Sequence, residues 1–540
     1  MHPLARLLVP ALTLATCLHG HARAQCGPDY LQELLPPDPQ LNTAFGLSVG
    51  VAGDVLVTGN PLADYDANGS GFRGALYVWR RSGGSFVFEQ KIPGPAAPQA
   101  QLGVAVAVDG DTIAAGQHAN SYPAAAVRVY RHNGVVWNEE AFLLPADPLF
   151  TNGPQLHAVG IDGDWIAAGH YTALLNPPTP PFTGAVYLYR RNAGIWSQHS
   201  KLVPADAANG DVTGWSLDLR GGVLAYSSRA QYMAGAGRVH VYGLASGAPV
   251  LEATLVATTP PSVDNQFGYA LSTDGVRLAV GNPSESGGTS TQGEVHIFRR
   301  EGGTWILEQI VRPFLPTGAF GREVAIDGDD LYAGSHNAWP SKVHHFRRIG
   351  GAWLDMGTSQ PTDVPVWGVS SLDAEDGSLV AGSNTVYNSS GGLYVFDGDA
   401  SQQVCTYCTA KVNSQGCTPV IGWSGLPSAS AGSGFLVRAA LIVPGMNGIL
   451  IYSPSATAAT PFQGGLLCFG SPVVRTPLQN AGGSAPCSGT YSMDFNALIA
   501  SGIDPTLEVG AIVRAQYWSR DPAASFASNM TDAISFVIAP

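Results

Sequence analysis

One pattern dominates the chain, and its first copy reads Phe45-Gly46-Leu-Ser-Val-Gly-Val-Ala-Gly53-Asp54-Val-Leu-Val-Thr-Gly59-Asn60-Pro61. An aromatic residue or leucine and a glycine precede two short apolar runs, which are joined by a Gly-Asp turn. The glycines at 53, 110, 163, 221, 275, 328 and 377 mark seven such copies, spaced 49 to 58 residues apart. A period of about this size is typical of repeat architectures in which each copy is one structural unit.

Each copy divides into four strand-like pieces. In the first copy these are residues 47–52, 55–58, 74–81 and 86–92, separated by turns rich in Gly, Ser and Asp. Runs of Val, Tyr, Phe and Trp between such turns predict antiparallel strands joined as hairpins. The sequence therefore predicts an all-β fold that begins with a seven-bladed β-propeller, in which neighbouring blades bury each other's faces.

The N-terminal segment resembles the strand that the last copy lacks. The seventh copy stops after its third strand, at 392–397, and residues 30–36 resemble the missing fourth strand. We expect residues 30–36 to pair with residues 392–397 and close the ring, so that the propeller occupies residues 25–402. Residues 403–540 lack the repeat and show short apolar runs between glycine-marked turns, which predicts a C-terminal β-sandwich.

The repeat resembles the FG-GAP repeat of integrin α-subunit propellers, which has close relatives in bacterial secreted proteins. The resemblance covers roughly residues 30–400, and the copies at Phe45, Phe267 and Phe320 carry it best, whereas the fourth copy, at Trp215, departs from it. It implies calcium in some loops between the second and third strands. Here Asp64, Asp66, Asn68 and Ser70 match the first half of the calcium pattern, but Phe72 stands where the last acidic ligand is expected. The alternative is an ordinary turn rich in Asp and Asn.

Charge and targeting signals narrow the class of protein. The formal net charge is -13 and only 12% of residues are charged, which argues against binding to nucleic acid or to an anionic membrane. Arg6, an apolar run over 7–18 and Ala22-Arg23-Ala24 predict a signal peptide over residues 1–24, cleaved after Ala24; lipidation at Cys17 is the alternative. No other stretch is apolar enough to span a membrane. We expect a secreted, cell-surface or periplasmic protein.

Six cysteines remain after cleavage, and an exported chain favours three disulfides among the 15 pairings that six cysteines allow. The proposed ring closure brings Cys26 toward Cys405. The expected pairs are therefore Cys26–Cys405, Cys408–Cys417 and Cys468–Cys487.

Candidate chemistry is sparse, since no catalytic or nucleotide-binding motif occurs. The acids Asp54, Asp111, Asp164 and Asp329 recur beside the turn glycine, which indicates a role in the turn. His118, His170 and His336 follow the second strand of their copies and either converge on one face or form local hydrogen bonds.

The sequence thus predicts a non-enzymatic binding or adhesion protein that presents variable loops, 60–73, 171–183 and 282–292, to an extracellular polysaccharide or protein. The alternatives are a hydrolase or lyase that uses the central pocket of the propeller, and a structural component of the cell envelope.

Overall fold

The structure is a computed structural model. It describes residues 29–39, 43–63, 71–96, 99–118, 125–146, 156–176, 179–208, 210–229, 237–257, 266–283, 293–313, 318–335, 341–349, 351–359, 368–384, 391–397, 404–424, 427–455 and 457–538.

The first part of the chain consists of strands joined by tight turns. In order they are β1 (Asp29–Leu34), β2 (Ser48–Ala52), β3 (Val55–Asn60), β4 (Ala75–Ser82), β5 (Ser85–Pro93), β6 (Leu102–Asp109), β7 (Thr112–Gln117), β8 (Ala126–His132), β9 (Trp137–Leu143), β10 (Leu156–Asp162), β11 (Trp165–His170), β12 (Leu174–Asn176), β13 (Thr179–Phe182), β14 (Ala185–Asn192), β15 (Ile195–Leu202), β16 (Leu217–Arg220), β17 (Val223–Ser228), β18 (Arg238–Gly243), β19 (Val250–Val256), β20 (Leu271–Thr273), β21 (Arg277–Asn282), β22 (Glu294–Glu301), β23 (Thr304–Val311), β24 (Phe320–Asp327), β25 (Asp330–Ser335), β26 (Lys342–Ile349), β27 (Ala352–Ser359), β28 (Ser371–Glu375), β29 (Ser378–Ser383) and β30 (Gly392–Asp397).

Apart from β12 and β13, which pair with each other, these strands form seven four-stranded antiparallel sheets within the described residues. We number them in chain order: sheet I is β2–β5, sheet II β6–β9, sheet III β10, β11, β14 and β15, sheet IV β16–β19, sheet V β20–β23, sheet VI β24–β27, and sheet VII β28–β30 with β1. The first strands of successive sheets contact each other, and β28 contacts β2, so the contacts form a closed cycle. Four-stranded sheets arranged around a common axis in this way are a β-propeller.

The N-terminal strand completes the last sheet. β1 pairs antiparallel with β30, from Asp29 opposite Asp397 to Leu34 opposite Leu393. A glutamine joins this closing strand to sheet I, because Gln32 Nε2 donates to the Phe86 carbonyl at 2.8 Å and the Phe86 N–H donates to Gln32 Oε1 at 2.9 Å. The first and last parts of the repeat region are therefore held together by both ladder and side-chain hydrogen bonds.

The same clasp recurs between other sheets. Gln90 of sheet I exchanges two hydrogen bonds with the Trp137 backbone of sheet II, at 3.1 and 2.8 Å. Gln309 of sheet V does so with Trp353 of sheet VI, at 2.8 and 2.9 Å. We call this arrangement the glutamine clasp. It explains why an aromatic residue recurs at the start of the fourth strand: the side chain is buried while its backbone binds the neighbouring sheet.

Aromatic side chains also fill the space between sheets near the axis. Phe45 is fully buried and meets Tyr77 and Trp79 edge-on, with ring centroids 5.3 and 5.9 Å apart. The glycines that follow such aromatics allow close backbone approach. A Cβ on Gly46, whose φ is +82°, would lie 2.8 Å from the Gly392 carbonyl oxygen. The Phe-Gly pair of the repeat thus combines a large buried ring with a position that only glycine fits.

The acids beside the turn glycines lie in tight turns between the first and second strands. Each backbone carbonyl accepts a hydrogen bond from the third strand; for Asp164 the donor is the Arg191 N–H, at 2.9 Å. Asp164 and Asp111 also form side-chain ion pairs, with Arg191 at 2.7 Å and Arg131 at 3.2 Å. These contacts are structural, and they lie within each sheet.

The C-terminal part consists of β31 (Val404–Tyr407), β32 (Val420–Ser424), β33 (Leu436–Ile442), β34 (Asn447–Ser453), β35 (Thr457–Phe462), β36 (Gly465–Phe469), β37 (Val474–Arg475), β38 (Gln479–Asn480), β39 (Gly489–Asp494), α1 (Phe495–Ala500), β40 (Ile512–Arg520), a short 3-10 helix (Ser525–Ala527) and β41 (Ser528–Val537). A six-stranded sheet runs β31-β41-β40-β34-β37, with β38 also paired to β34, and a three-stranded sheet runs β32-β33-β39. Both sheets contribute to one buried cluster that includes Phe435, Tyr491 and Phe536.

The disulfide expectations for this part are wrong. The structure pairs Cys408 with Cys468 and Cys417 with Cys487, not Cys408 with Cys417 or Cys468 with Cys487. The physical reason is topological. Cys408 follows β31, which pairs with β41, and β36, which carries Cys468, contacts that same strand, so cysteines 60 residues apart meet. The expected Cys26–Cys405 pair lies outside the described residues, because Cys26 is not among them.

Candidate functional site: an axial cavity

A cavity of about 580 Å³ opens on the axis where the first strands of the sheets begin. All seven sheets contribute to its wall, through the residues at the start of their first strands. Most of the wall is built from the residue that follows the Phe-Gly pair of the repeat, and from the next one along. The cavity is therefore a direct consequence of the repeat, which brings equivalent positions together around one axis.

The position after the Phe-Gly glycine differs in every sheet. From sheet I to sheet VII the position is occupied by Leu47, Val104, His157, Trp215, Tyr269, Arg322 and Ser370; in sheets III and VII the residue before it is Leu156 or Val369 rather than glycine. The next position is serine or alanine in six sheets and Glu323 in sheet VI. Because seven different side chains occupy this position in sheets of the same fold, folding does not require a particular side chain there.

Sheets III to VI contribute a continuous stack of rings and guanidinium groups. His157 stacks on Trp215 with centroids 3.9 Å apart, and Arg229 lies over Trp215 at 4.8 Å. Arg229 also lies over Tyr269 at 4.5 Å, and Arg322 is 5.2 Å from the same ring. Cation–π contacts of this kind stabilise each pair by about 0.5–2 kcal/mol, depending on how far they are removed from water. The stack makes this side of the wall rigid and cationic.

The histidines of the cavity wall are neutral near pH 7. Desolvation lowers the pKa of His157 to about 4, although the side chain is exposed toward the cavity, and the Trp215 carbonyl 2.6 Å from Nδ1 opposes this only in part. Burial also lowers the pKa of His118, whose Nε2 lies 2.6 Å from the Leu156 carbonyl. Each imidazole is thus used to fix a neighbouring backbone carbonyl.

Among the described residues that line the cavity, Glu323 alone carries a carboxyl group. Loss of contact with water raises its pKa to about 8, and the charge of Arg322 acts against this more weakly. The side chain is half-buried and lines the cavity, so water reaches part of it. Within the described parts of the chain its carboxyl group forms no hydrogen bond or ion pair.

The opposite end of the axis is closed by Arg220 of sheet IV. Its guanidinium reaches across to sheet VII, where it donates to the Ala374 carbonyl at 3.0 Å and to Glu375 at 3.2 Å, and lies 3.6 Å from Asp373. Burial raises the pKa of Glu375 to about 7 and also raises that of Asp373, while Arg220 holds both down. We call Arg220, Asp373 and Glu375 the axial bridge.

Carboxylates at this end also connect neighbouring sheets. Each accepts a hydrogen bond from a backbone N–H in the next sheet of the ring: Asp109 from Gly163 at 2.6 Å, Asp162 from Gly222 at 2.6 Å, Asp218 from Thr273 at 2.7 Å, Asp327 from Gly377 at 3.3 Å and Asp373 from Val51 at 2.8 Å. We call these five residues the carboxylate girdle. Three of them, Asp109, Asp162 and Asp327, stand immediately before a turn glycine.

The residues singled out from the sequence fall in several places. Asp64, Asp66, Asn68 and Ser70, the candidate calcium ligands, lie outside the described residues, as does His336. His118 lines the cavity, whereas His170 is buried and packs edge-on against Tyr187 at 5.2 Å, so the structure does not bring these two to one ligand site. Among the described residues, no three His, Cys, Asp or Glu side chains are grouped so that they could hold a metal ion.

Sequence reasoning missed Trp215, Tyr269, Arg322 and Glu323. The signal was present, because all four occupy the one or two positions after the Phe-Gly glycine, where the copies disagree. It also missed the carboxylate girdle, because the acids that recur after the turn glycine are the more regular signal, whereas three girdle residues stand before that glycine.

Comparisons with known proteins add little. No protein-family model matches the chain, and no curated protein matches its sequence. Among solved structures, it is similar to a protein from Lactobacillus plantarum (16% identity, TM-score 0.40, covering 62% of this chain and 87% of that one). It is also similar to a Bacteroides uniformis protein assigned provisionally as a 6-phosphogluconolactonase (16% identity, TM-score 0.39, 60% and 86%). A third is Pyrococcus horikoshii acylaminoacyl peptidase (10% identity, TM-score 0.41, 74% and 58%). At TM-scores this low the likenesses carry no argument. The assignment as a β-propeller rests on the four-stranded sheets and their closed cycle of contacts.

Proposed function

We propose that this is an exported, non-enzymatic binding protein whose propeller presents the face around the axial cavity to an extracellular polysaccharide or protein. The observation that carries the proposal is the position after the Phe-Gly glycine. It changes from sheet to sheet, from Leu47 through Trp215 to Arg322, on a scaffold that is otherwise repeated. Diversity on a rigid scaffold is where recognition is usually found.

We also propose the finer architecture that this function implies, which is a seven-bladed propeller of FG-GAP type followed by a C-terminal β-sandwich. Seven four-stranded sheets in a cycle favour the blade number, and two sheets around one core favour the sandwich. Phe45-Gly46, Phe267-Gly268 and Phe320-Gly321 supply the FG-GAP resemblance.

One observation favours an extracellular or periplasmic location. The C-terminal part contains two disulfides, and such bonds persist in oxidising compartments. Among the described residues there is also no helix of the length and apolarity that a bilayer crossing requires. The signal peptide expected over residues 1–24 belongs to the same proposal.

A pair of substitutions in one sheet tests the binding face. Val104→Trp places in sheet II the residue that sheet IV already carries at the equivalent position, and it fills part of the cavity. Val135→Trp, at an exposed turn near the other end of the same sheet, is the matched control. The mature protein would be screened on an array of polysaccharides and extracellular proteins, with calcium and with chelator.

We expect specific binding that Val104→Trp reduces at least tenfold and Val135→Trp leaves unchanged, with equal melting temperatures for both variants. Changes of charge and size in loops 171–183 and 282–292 test the rim of the same face. Binding that neither Val104→Trp nor the loop changes affect would show that the face is wrongly assigned.

A hydrolase or lyase is the second candidate, and one observation favours it. Glu323 is a cavity carboxyl group with a pKa of about 8, and a raised pKa is a common property of acid–base catalysts. Cleavage of any array ligand by the wild type, lost in Glu323→Gln, would support this candidate over binding alone.

A further inference from the structure

The charge inside the cavity differs in sign from the charge of the whole protein. The chain carries a formal net charge of -13. The titratable groups that line the cavity are His118, His157, Tyr269, Arg322 and Glu323. Both histidines have lowered pKa values and are neutral near pH 7, and Glu323 is mostly protonated there. Arg322 therefore gives the cavity wall a positive charge, which favours an anionic group.

The aromatic rings of the wall already contact protein groups. Trp215 has His157 at 3.9 Å and Arg229 at 4.8 Å. Tyr269 is likewise contacted by two guanidinium groups. These contacts leave less ring surface for the stacking of a neutral sugar.

Glu323 breaks the pattern of its own position. In the other six sheets the equivalent residue is serine or alanine, and where it is Ser48 or Ser371 the hydroxyl donates to a backbone carbonyl of the next sheet, at 2.9 and 3.0 Å. Glu323 has no such partner in the described chain and lines the cavity instead. The folded ring does not need a carboxyl group there, so its place is best explained by a ligand.

We propose that the axial cavity binds a short acidic saccharide through its carboxylate, with Glu323 and Arg322 as the groups that recognise that carboxylate. The inference rests on the proposed binding function and specifies its ligand class. In its acid form Glu323 donates a hydrogen bond to the ligand carboxylate, and the charge of Arg322 offsets the buried anion. The cavity volume of about 580 Å³ is within the range of small-ligand sites and suits a saccharide of a few units.

This arrangement predicts a loss of affinity as the pH rises through the pKa of Glu323. Above pH 8 the carboxyl group ionises, can no longer donate, and repels the ligand carboxylate. Among the described residues, those of β28 and of the segment from Gly368 that line the cavity are uncharged, Ser370 and Ser371 included. The cavity histidines titrate well below this range, and a substitution at Glu323 separates its contribution from those of Arg322 and Tyr269.

The test measures the binding of trigalacturonate and of its neutral counterpart, trigalactose, by calorimetry at pH 7 and pH 9. The wild type should bind the acidic trimer and lose about tenfold in affinity at pH 9, the change expected for a group with a pKa near 8. Glu323→Gln should bind it with an affinity that does not change between the two pH values. Glu301→Gln, an exposed substitution on sheet V, serves as the control and should behave as the wild type.

Each remaining outcome has a defined meaning. If trigalactose binds as tightly and Val104→Trp blocks it, the binding function stands and the acidic ligand class is wrong. If Glu323→Gln keeps the pH dependence of the wild type, Glu323 does not contact the ligand. If neither trimer binds, this inference is overturned, and the array with Val104→Trp decides the proposed function separately.

Discussion

The two ends of the propeller axis use charged groups in opposite ways. At the far end, five carboxylates each accept a backbone N–H from the next sheet, and Arg220 spans the axis to Asp373 and Glu375. At the cavity end, Glu323 has no hydrogen-bond partner in the described chain. In sheet VI one strand, β24, supplies Asp327 to the carboxylate girdle at one end and the unpartnered Glu323 at the other. If the cavity binds a ligand as we propose, stability and recognition are separated along this one strand.

Removal of the cation of the axial bridge should have the largest effect on stability. Arg220→Ala leaves Asp373 and Glu375 facing each other without a counter-charge, which we expect to cost about 3 kcal/mol of unfolding free energy at pH 8. The cost should shrink at pH 5, because protonation removes the uncompensated charges. Urea unfolding at both pH values measures this. Arg299→Ala, at a more exposed pair with Glu301, is the control, and an equal cost at pH 5 and pH 8 would refute the electrostatic explanation.

Loss of a glutamine clasp should come next. Gln90→Ala removes two hydrogen bonds to the Trp137 backbone, at a cost of about 2 kcal/mol, since one donor and one acceptor lose their partner in a half-buried place. Chemical denaturation of the variant beside Asn138→Ala, an exposed neighbour, provides the comparison. A cost below that of the control would mean that water replaces the clasp.

Neutralisation of the cavity carboxyl group should stabilise the protein. The folded-state pKa of Glu323 is about 8, above its unfolded value, so the wild type loses stability as the pH rises from about 4.5 to 8. Glu323→Gln removes this loss and should raise the unfolding free energy by about 1–2 kcal/mol at pH 9, allowing for the part of the group that water reaches, and by nothing at pH 4.5. Thermal melts across this range test the sign. Destabilisation at pH 9 would show that the carboxylate has a structural partner.

Substitution of Asp109 in the carboxylate girdle should have the smallest effect on the unfolding free energy. Asp109→Asn keeps an oxygen that can accept from the Gly163 N–H and should cost less than about 1 kcal/mol, whereas Asp109→Ala should cost about 1 kcal/mol. Denaturation curves of the two variants distinguish a hydrogen-bond role from a charge role. An Asn variant as unstable as the Ala variant would favour charge.

The strands and their order could be predicted from the repeat, because alternating apolar residues and turn glycines are local signals in the sequence. The residues that line the cavity could not be predicted in the same way. Trp215, Arg322 and Glu323 lie where the copies disagree, and a search for what the copies share discards such positions. The disulfide predictions were wrong for a different reason. Cys408 and Cys417 are close in sequence, but the strand order of the C-terminal sheets places each of them beside a more distant cysteine.

The pairing of β1 with β30 also has a consequence for synthesis. Asp29 and Asp397 are more than 360 positions apart, so β1 has to wait for the synthesis of almost the whole repeat region before it finds its partner. Contacts over such separations slow folding, and the incomplete ring keeps an open sheet edge during that time. A nascent or truncated chain is therefore expected to be the form most exposed to proteases and aggregation.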